Sequence, residues 1–306
     1  MNEVQDSIYT RLDDLLSWRF HVKQKKLVQQ QKLLASSHGD HHAVRKGRGM
    51  TFSEVRQYQP GDDIRHIDWR VTARTQKTHT KIFVEEHERP TLILAEQTPA
   101  LFFGSQVRLK TDQVLNIAAI LGWVSLQQHE RVGGVCFNHR QQIWNAPKKP
   151  QQNLLNFLQQ AIQLQQQNQK PGVSGHHYWQ QALQLLQKNL KPGSKVFLIG
   201  DMLQFDENLL TPLKQLRRHA EIIAIHIFDP LDREIPELGW LNIQGFQGQT
   251  MRLDSFRKQT RENYRELYQQ QWNRVQHAFY GLRIPLVEIS NQDHPVKAAL
   301  QTHLIH

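Results

Sequence analysis

Residues 55–75, VRQYQPGDDIRHIDWRVTART, crowd acids and bases around a single tryptophan. Glu54, Asp62, Asp63 and Asp68 alternate with Arg56, Arg65, Arg70 and Arg74 about Trp69. Asp68 with His66 could pass a proton, the elementary step of acid–base catalysis. No nucleophile or phosphate-cradling loop accompanies them, since neither Gly-x-Ser-x-Gly nor Gly-x-x-x-x-Gly-Lys occurs in the chain. The same residue types also build a pinned turn. Gln59-Pro60-Gly61-Asp62 reads as a type II turn, with Pro presetting φ and Gly accepting its positive value. Asp62 or Asp63 can cap a short helical turn running through Asp68. Arg65 and Arg74 suit bidentate pairing with Asp63, Asp68, Glu85 or Glu86. Trp69 adds apolar area and a donor that wants a partner. The stretch therefore reads as an ion-pair clasp and docking surface. It is expected to lock the strand-rich segment Gly47–Glu86 onto the rest of the chain, and no residue is assigned a catalytic role.

A second cluster, His38, Asp40, His41 and His42, has metal-ligand chemistry. Adjacent histidines beside Gly39 point in divergent directions, so a flexible loop is the expectation.

The elements that must position these residues follow from periodicity. Ile8, Leu12, Leu15, Leu16, Phe20, Leu27 and Leu34 recur at helical spacing, predicting a helix from Met1 to about Leu34. From Thr80 onward, apolar strands alternate with helices. The strands are KIFVEE, TLILAEQ, the pair VGGVCFN and QQIWNAP, then SKVFLIGD, EIIAIHIFD and IPLVEIS. Helices are expected at Val107–Gln128, around Leu154–Ile162, at Tyr178–Leu190, Leu209–His219 and Ser255–Tyr280, and after Pro295. The nine glutamines of 151–169 are interrupted by Leu, Phe and Ile at helical intervals, which predicts an ordinary helix with a neutral polar face. Such alternation implies an α/β, mainly parallel, Rossmann-like sheet covered on both faces. Ligands in such sheets sit beyond the carboxyl ends of strands, which points to the residues after TLILA and KVFLI.

With 306 residues, 39% hydrophobic and 22% charged, the chain is globular in composition. No apolar run approaches the ~20 residues of a membrane helix. The acidic, amphipathic opening MNEVQDSIYTRLDDLL does not read as a signal peptide. Cys136 is the lone cysteine, which fits a reducing compartment and an expected cytoplasmic location. The formal charge is +10, and Arg19–Arg48 holds eight Lys or Arg against one acid, Asp40. That block could face nucleic acid or an acidic protein, or simply be solvated.

The stretch Gly47–Glu86, GRGMTFSEVRQYQPGDDIRHIDWRVTARTQKTHTKIFVEE, closely resembles the signature of the bacterial domain-of-unknown-function family 58. Phe102-Phe103-Gly104 and Ile227–Gly239, IFDPLDREIPELG, fit it as well. The resemblance implies a von Willebrand A-like domain over 91–306, with a strand-rich insertion around 230–254. Before it would come a signature segment over 46–90 and a basic helix and loop over 1–45. It further implies a non-catalytic, chaperone-like adaptor whose partner is a MoxR-type AAA+ ATPase. Client proteins or other von Willebrand A proteins would be further partners. Nucleic-acid binding through the basic block and metal-dependent hydrolysis are the alternatives. Domains of this kind can bind Mg2+ through Asp-x-Ser-x-Ser, a Thr and an Asp. Onto this pattern fall Glu96, Thr98 and Ala100, then Ser174, then Asp201. Ala100 has no side-chain oxygen and Glu96 is one methylene too long, so a degenerate site held by hydrogen bonds is expected, without a cofactor.

Overall fold

The computed structural model describes residues 9–28, 30, 33–34, 51–59, 62, 64–84, 89–168, 176–244 and 250–306; for 51–54, 66, 81–84, 176 and 243–244 it describes the backbone alone. The loop bearing His38, Asp40, His41 and His42 lies outside these residues. The chain divides into two compact units, residues 41–88 and residues 1–40 together with 89–306.

The larger unit is built on a six-stranded sheet. Its strands are β3 (Thr91–Glu96), β4 (Val132–Phe137), β5 (Gln142–Lys148), β6 (Ser194–Gly200), β7 (Ala220–Phe228) and β10 (Leu286–Ser290), in the order β10-β7-β6-β3-β4-β5. All pairings are parallel except that of the edge strand β5 with β4. Successive side chains along a strand point to opposite faces, so each continuous apolar run feeds two cores. Ile93, Ala95, Phe197, Ile199, Ile223 and Ile225 pack on one face under α1 (Leu12–His21), α3 (Lys110–Gln127), α4 (Gln151–Gln166) and α9 (Pro295–Gln301). Leu92, Leu94, Val196, Leu198, Ile222 and Ala224 pack on the other under α5 (His176–Asn189), α6 (Glu207–Arg217) and α8 (Lys258–Gly281). Burial on both faces is why these strands carry no polar alternation. A short helix α7 (Pro230–Arg233) and a hairpin of β8 (Trp240–Gln244) with β9 (Thr250–Asp254) follow β7. Among the described residues no helix is long and apolar enough to cross a membrane.

The expected helix to Leu34 is corrected: α1 stops at His21. Val22–Gln24 turn, with Gln24 in the left-handed region, and Leu27 pairs antiparallel with Ile305. Backbone bonds from Lys26 and Val28 to His306 and Leu304, and one from the Leu27 N–H to Gln128 Oε1, outcompete a helical ladder there. Phe20, which helical periodicity assigned to the buried stripe, is 57% exposed, whereas Val22 is buried.

The smaller unit pairs β1 (Thr51–Gln57) antiparallel with β2 (His79–Val84) around a short helix α2 (Trp69–Thr75).

Candidate functional site at the strand ends

β3 and β6 are parallel neighbours ending at the same edge of the sheet. Glu96 is the last residue of β3, and Asp201 follows Gly200, the last of β6. The pleat turns Glu96 inward, and it is fully buried. Its Oε2 accepts hydrogen bonds from the Trp179 indole N–H (3.0 Å) and the Asp201 backbone N–H (2.8 Å). Its Oε1 accepts from the Thr98 hydroxyl (2.7 Å) and the Gln204 amide (3.2 Å). The first pair of donors is fixed, while the second pair can rotate to accept instead. Burial, helped by the charge of nearby Asp201, pushes this carboxyl up to about 7 against the pull of those bonds. A Cβ on Gly200 would run into Glu96 Oε2 and stand 2.8 Å from the Trp179 ring, so only glycine lets carboxylate and indole close over β6.

Asp201 caps the short turn Met202–Gln204 by accepting from the Leu203 N–H (3.0 Å). Its carboxyl is also raised, chiefly by burial, with Lys110 opposing. His226 Nδ1 accepts from the Met202 N–H at 3.1 Å, which places the ring proton on Nε2. Burial first, then the cations Lys110 and Arg233, hold this imidazole down to about 3. Its 3.6 Å approach to Asp201 therefore involves a neutral ring and is not an ion pair.

Lys110 opens α3, a place where the helix dipole disfavours a cation. Its side chain is buried, and Nζ lies 2.9 Å from Asp232 Oδ2. Burial pulls the ammonium down, but Asp232, Asp201 and Asp229 outweigh it, and the lysine stays charged. Asp232 and Asp229 form the capping box of α7. Asp229 also accepts from the Ser105 N–H and hydroxyl and from the Asn291 amide, each at 2.7 Å.

Of the residues that the sequence pointed to, Glu96, Thr98 and Asp201 meet here; Ser174 lies outside the described residues. Trp179, Gln204, His226, Lys110, Asp229 and Asp232 join the group and sequence reasoning missed them. The Asp-Pro-x-Asp of 229–232 is a readable helix start, and a histidine inside the apolar run of β7 was a readable anomaly. Among the described residues, no three His, Cys, Asp or Glu side chains are placed to hold a metal ion.

The signature stretch forms part of the smaller unit. Arg56 and Asp62 make an ion pair at 2.7 Å. Asp62 accepts from the Gln59 N–H, and its own N–H donates to the Gln59 carbonyl, closing the expected four-residue turn. Asp62 thus turns back toward Gln59, and among the described residues its carboxylate accepts from no helix N–H. The cap of α2 is Asp68, which accepts from the Arg70 and Val71 N–H groups. Trp69 corrects its expectation as well: at the first position of α2 it is 71% exposed and contributes little buried area. Arg65 and Arg74 are exposed. Pro60, Gly61, Asp63, Glu85 and Glu86 lie outside the described residues.

The family model "Protein of unknown function DUF58" matches residues 54–274, more than half of the chain. The chain belongs to the DUF58 family. This DUF58 chain is 27% identical over 238 residues to the uncharacterized protein Rv1480 of Mycobacterium tuberculosis, covering 78% of this chain and 74% of the relative. The uncharacterized protein Mb1516 of Mycobacterium bovis matches to the same extent. Among solved structures, the conserved hypothetical protein BatB from Bacteroides thetaiotaomicron aligns at a TM-score of 0.43 and 13% identity, over 71% of this chain and 96% of that one. An aerotolerance-related membrane protein from Bacteroides fragilis aligns at 0.41 and 12%, over 70% and 98%.

Proposed function

We propose that this DUF58 chain is a non-catalytic adaptor, a von Willebrand A-like scaffold that works with a MoxR-type AAA+ ATPase on client proteins. The closed state of the strand-end carboxylates carries the reading. Glu96 and Asp201 are the acids that hydrolysis at this edge would use, and both are buried and held by donors of their own chain. The strand order, five parallel strands with one antiparallel edge strand, supports the von Willebrand A assignment.

Mg2+ fits this donor set poorly. A hard cation takes six oxygens in near-octahedral array. Ala100 offers none, and both oxygens of Glu96 already accept two hydrogen bonds each. The Lys110 ammonium supplies positive charge to Asp201 and Asp232 from within the fold. On this reading, partners are bound by surface complementarity without a bridging metal.

The test is co-purification with the MoxR-type ATPase of the same cell, with ATP turnover measured as the chain is titrated in. A change in turnover with saturating dependence is expected. An ATPase that neither associates nor changes its rate at micromolar concentrations sinks the adaptor reading.

A further inference from the structure

The opposite edge of the sheet carries a different surface. A groove of about 680 Å3 runs between the end of α1, the end of α3 and the start of α4, entirely within the larger unit. It lies at the amino ends of the parallel strands, because β5 finishes at Lys148 opposite Val132, the first residue of β4. Arg19, Lys23 and Lys149 line it, and among the described residues no acid does. Its apolar part is Trp123, Leu126 and Phe20. The Trp123 indole donates to the Leu15 carbonyl at 3.0 Å and so is fixed as a floor. Phe20 is 57% exposed, with the Arg19 guanidinium 4.5 Å and the Lys23 ammonium 5.8 Å from its ring centre.

We propose that this groove binds an acidic protein segment carrying an apolar side chain between its carboxylates. Charge complementarity selects an anion: three cations converge on a wall that holds no acid among the described residues. The form of that anion follows from the rest of the lining. Gln24, Gln127 and Gln151 complete the rim. Glutamine amides both donate and accept, matching the N–H and C=O of a peptide backbone, whereas phosphate oxygens only accept. The two cations over Phe20 take up the ring face on which a nucleobase would stack. A groove of this size suits a few side chains, one of them seated on Trp123 and Leu126. The inference shares with the adaptor reading only the premise that the chain binds protein, and it places the contact away from Glu96 and Asp201.

The test is a selection of displayed random short peptides on the full-length chain. One enriched peptide is then synthesised with a fluorophore and followed by anisotropy. The expected consensus has carboxylates flanking Leu or Phe. Arg19→Glu with Lys23→Glu should weaken the peptide by about tenfold or more, and Phe20→Ser by a similar factor, at unchanged melting temperature. Lys23→Gln on the exposed turn gives the same ordering should the double reversal disturb α1. Retained ATPase association in a variant that has lost the peptide would confirm that the two surfaces are separate. The proposal is overturned if no acidic consensus emerges, or if the peptide binds the charge-reversed chain as well as the wild type. It is equally overturned if single-stranded DNA or phosphatidylserine vesicles displace the peptide and bind more tightly.

Discussion

Glu96→Gln tests the closed site most directly. The carboxyl stands at about 7 in the fold against an ordinary value of 4.5. Between those values the native state holds a proton that the unfolded chain has released, so the Glu96 contribution falls as pH rises and is lost through 7. At 1.36 kcal/mol per pH unit, the loss between pH 5 and 8 is about 2–3 kcal/mol. Glutamine is the neutral isostere, and the donor arrangement admits it. Its carbonyl can face the fixed Trp179 and Asp201 N–H groups while its amide faces Thr98 and Gln204, both able to turn and accept. Urea unfolding of both proteins at pH 5 and pH 8 is the assay. Because only this group differs, the titrations of Asp201, His226 and Lys110 cancel to first order. The variant should gain about 2–3 kcal/mol on the wild type from pH 5 to pH 8. A difference independent of pH, or a variant that loses ground at pH 8, would refute the reasoning. Either result would mean that the donors hold the carboxylate charged against its burial.

His226 should oppose Glu96 in acid. Held at about 3 against an ordinary 6.5, it contributes stability above pH 6.5 that is lost as pH falls. His226→Phe removes the acceptor for Met202 and should cost about 1–3 kcal/mol at pH 7, and the gap to wild type should narrow by about 2 kcal/mol at pH 5 in the same unfolding assay. Gly200→Ala should destabilise by about 1–3 kcal/mol, because the methyl meets Glu96 and Trp179; a melting temperature equal to wild type would contradict that packing.

The sheet was readable because TLILAE, SKVFLIG and the middle of AEIIAIHIF are buried on both faces and need no alternation. The topology rule points to the strand ends, and it is the family resemblance that implies Glu96 and Asp201 there. Their partners did not, since Trp179 reaches Glu96 from a helix 83 residues away and Lys110 reaches Asp232 across 122. No local spacing encodes such convergence. The first helix was overread for a related reason: Leu27 and Leu34 share helical spacing with Leu12, yet the backbone at Leu27 is claimed by Ile305. Trp69 offers apolar area by residue type, yet the fold leaves most of that area exposed.

That pairing of residues 26–28 with 304–306 carries a consequence for synthesis. The segment following α1 leaves the ribosome before the segment it pairs with, which emerges some 280 residues later. Until then Leu27 and Val28, both buried in the finished protein, face solvent or a chaperone. Pairing of these two segments thus waits on synthesis of the second, a delay set by sequence separation rather than by local propensity.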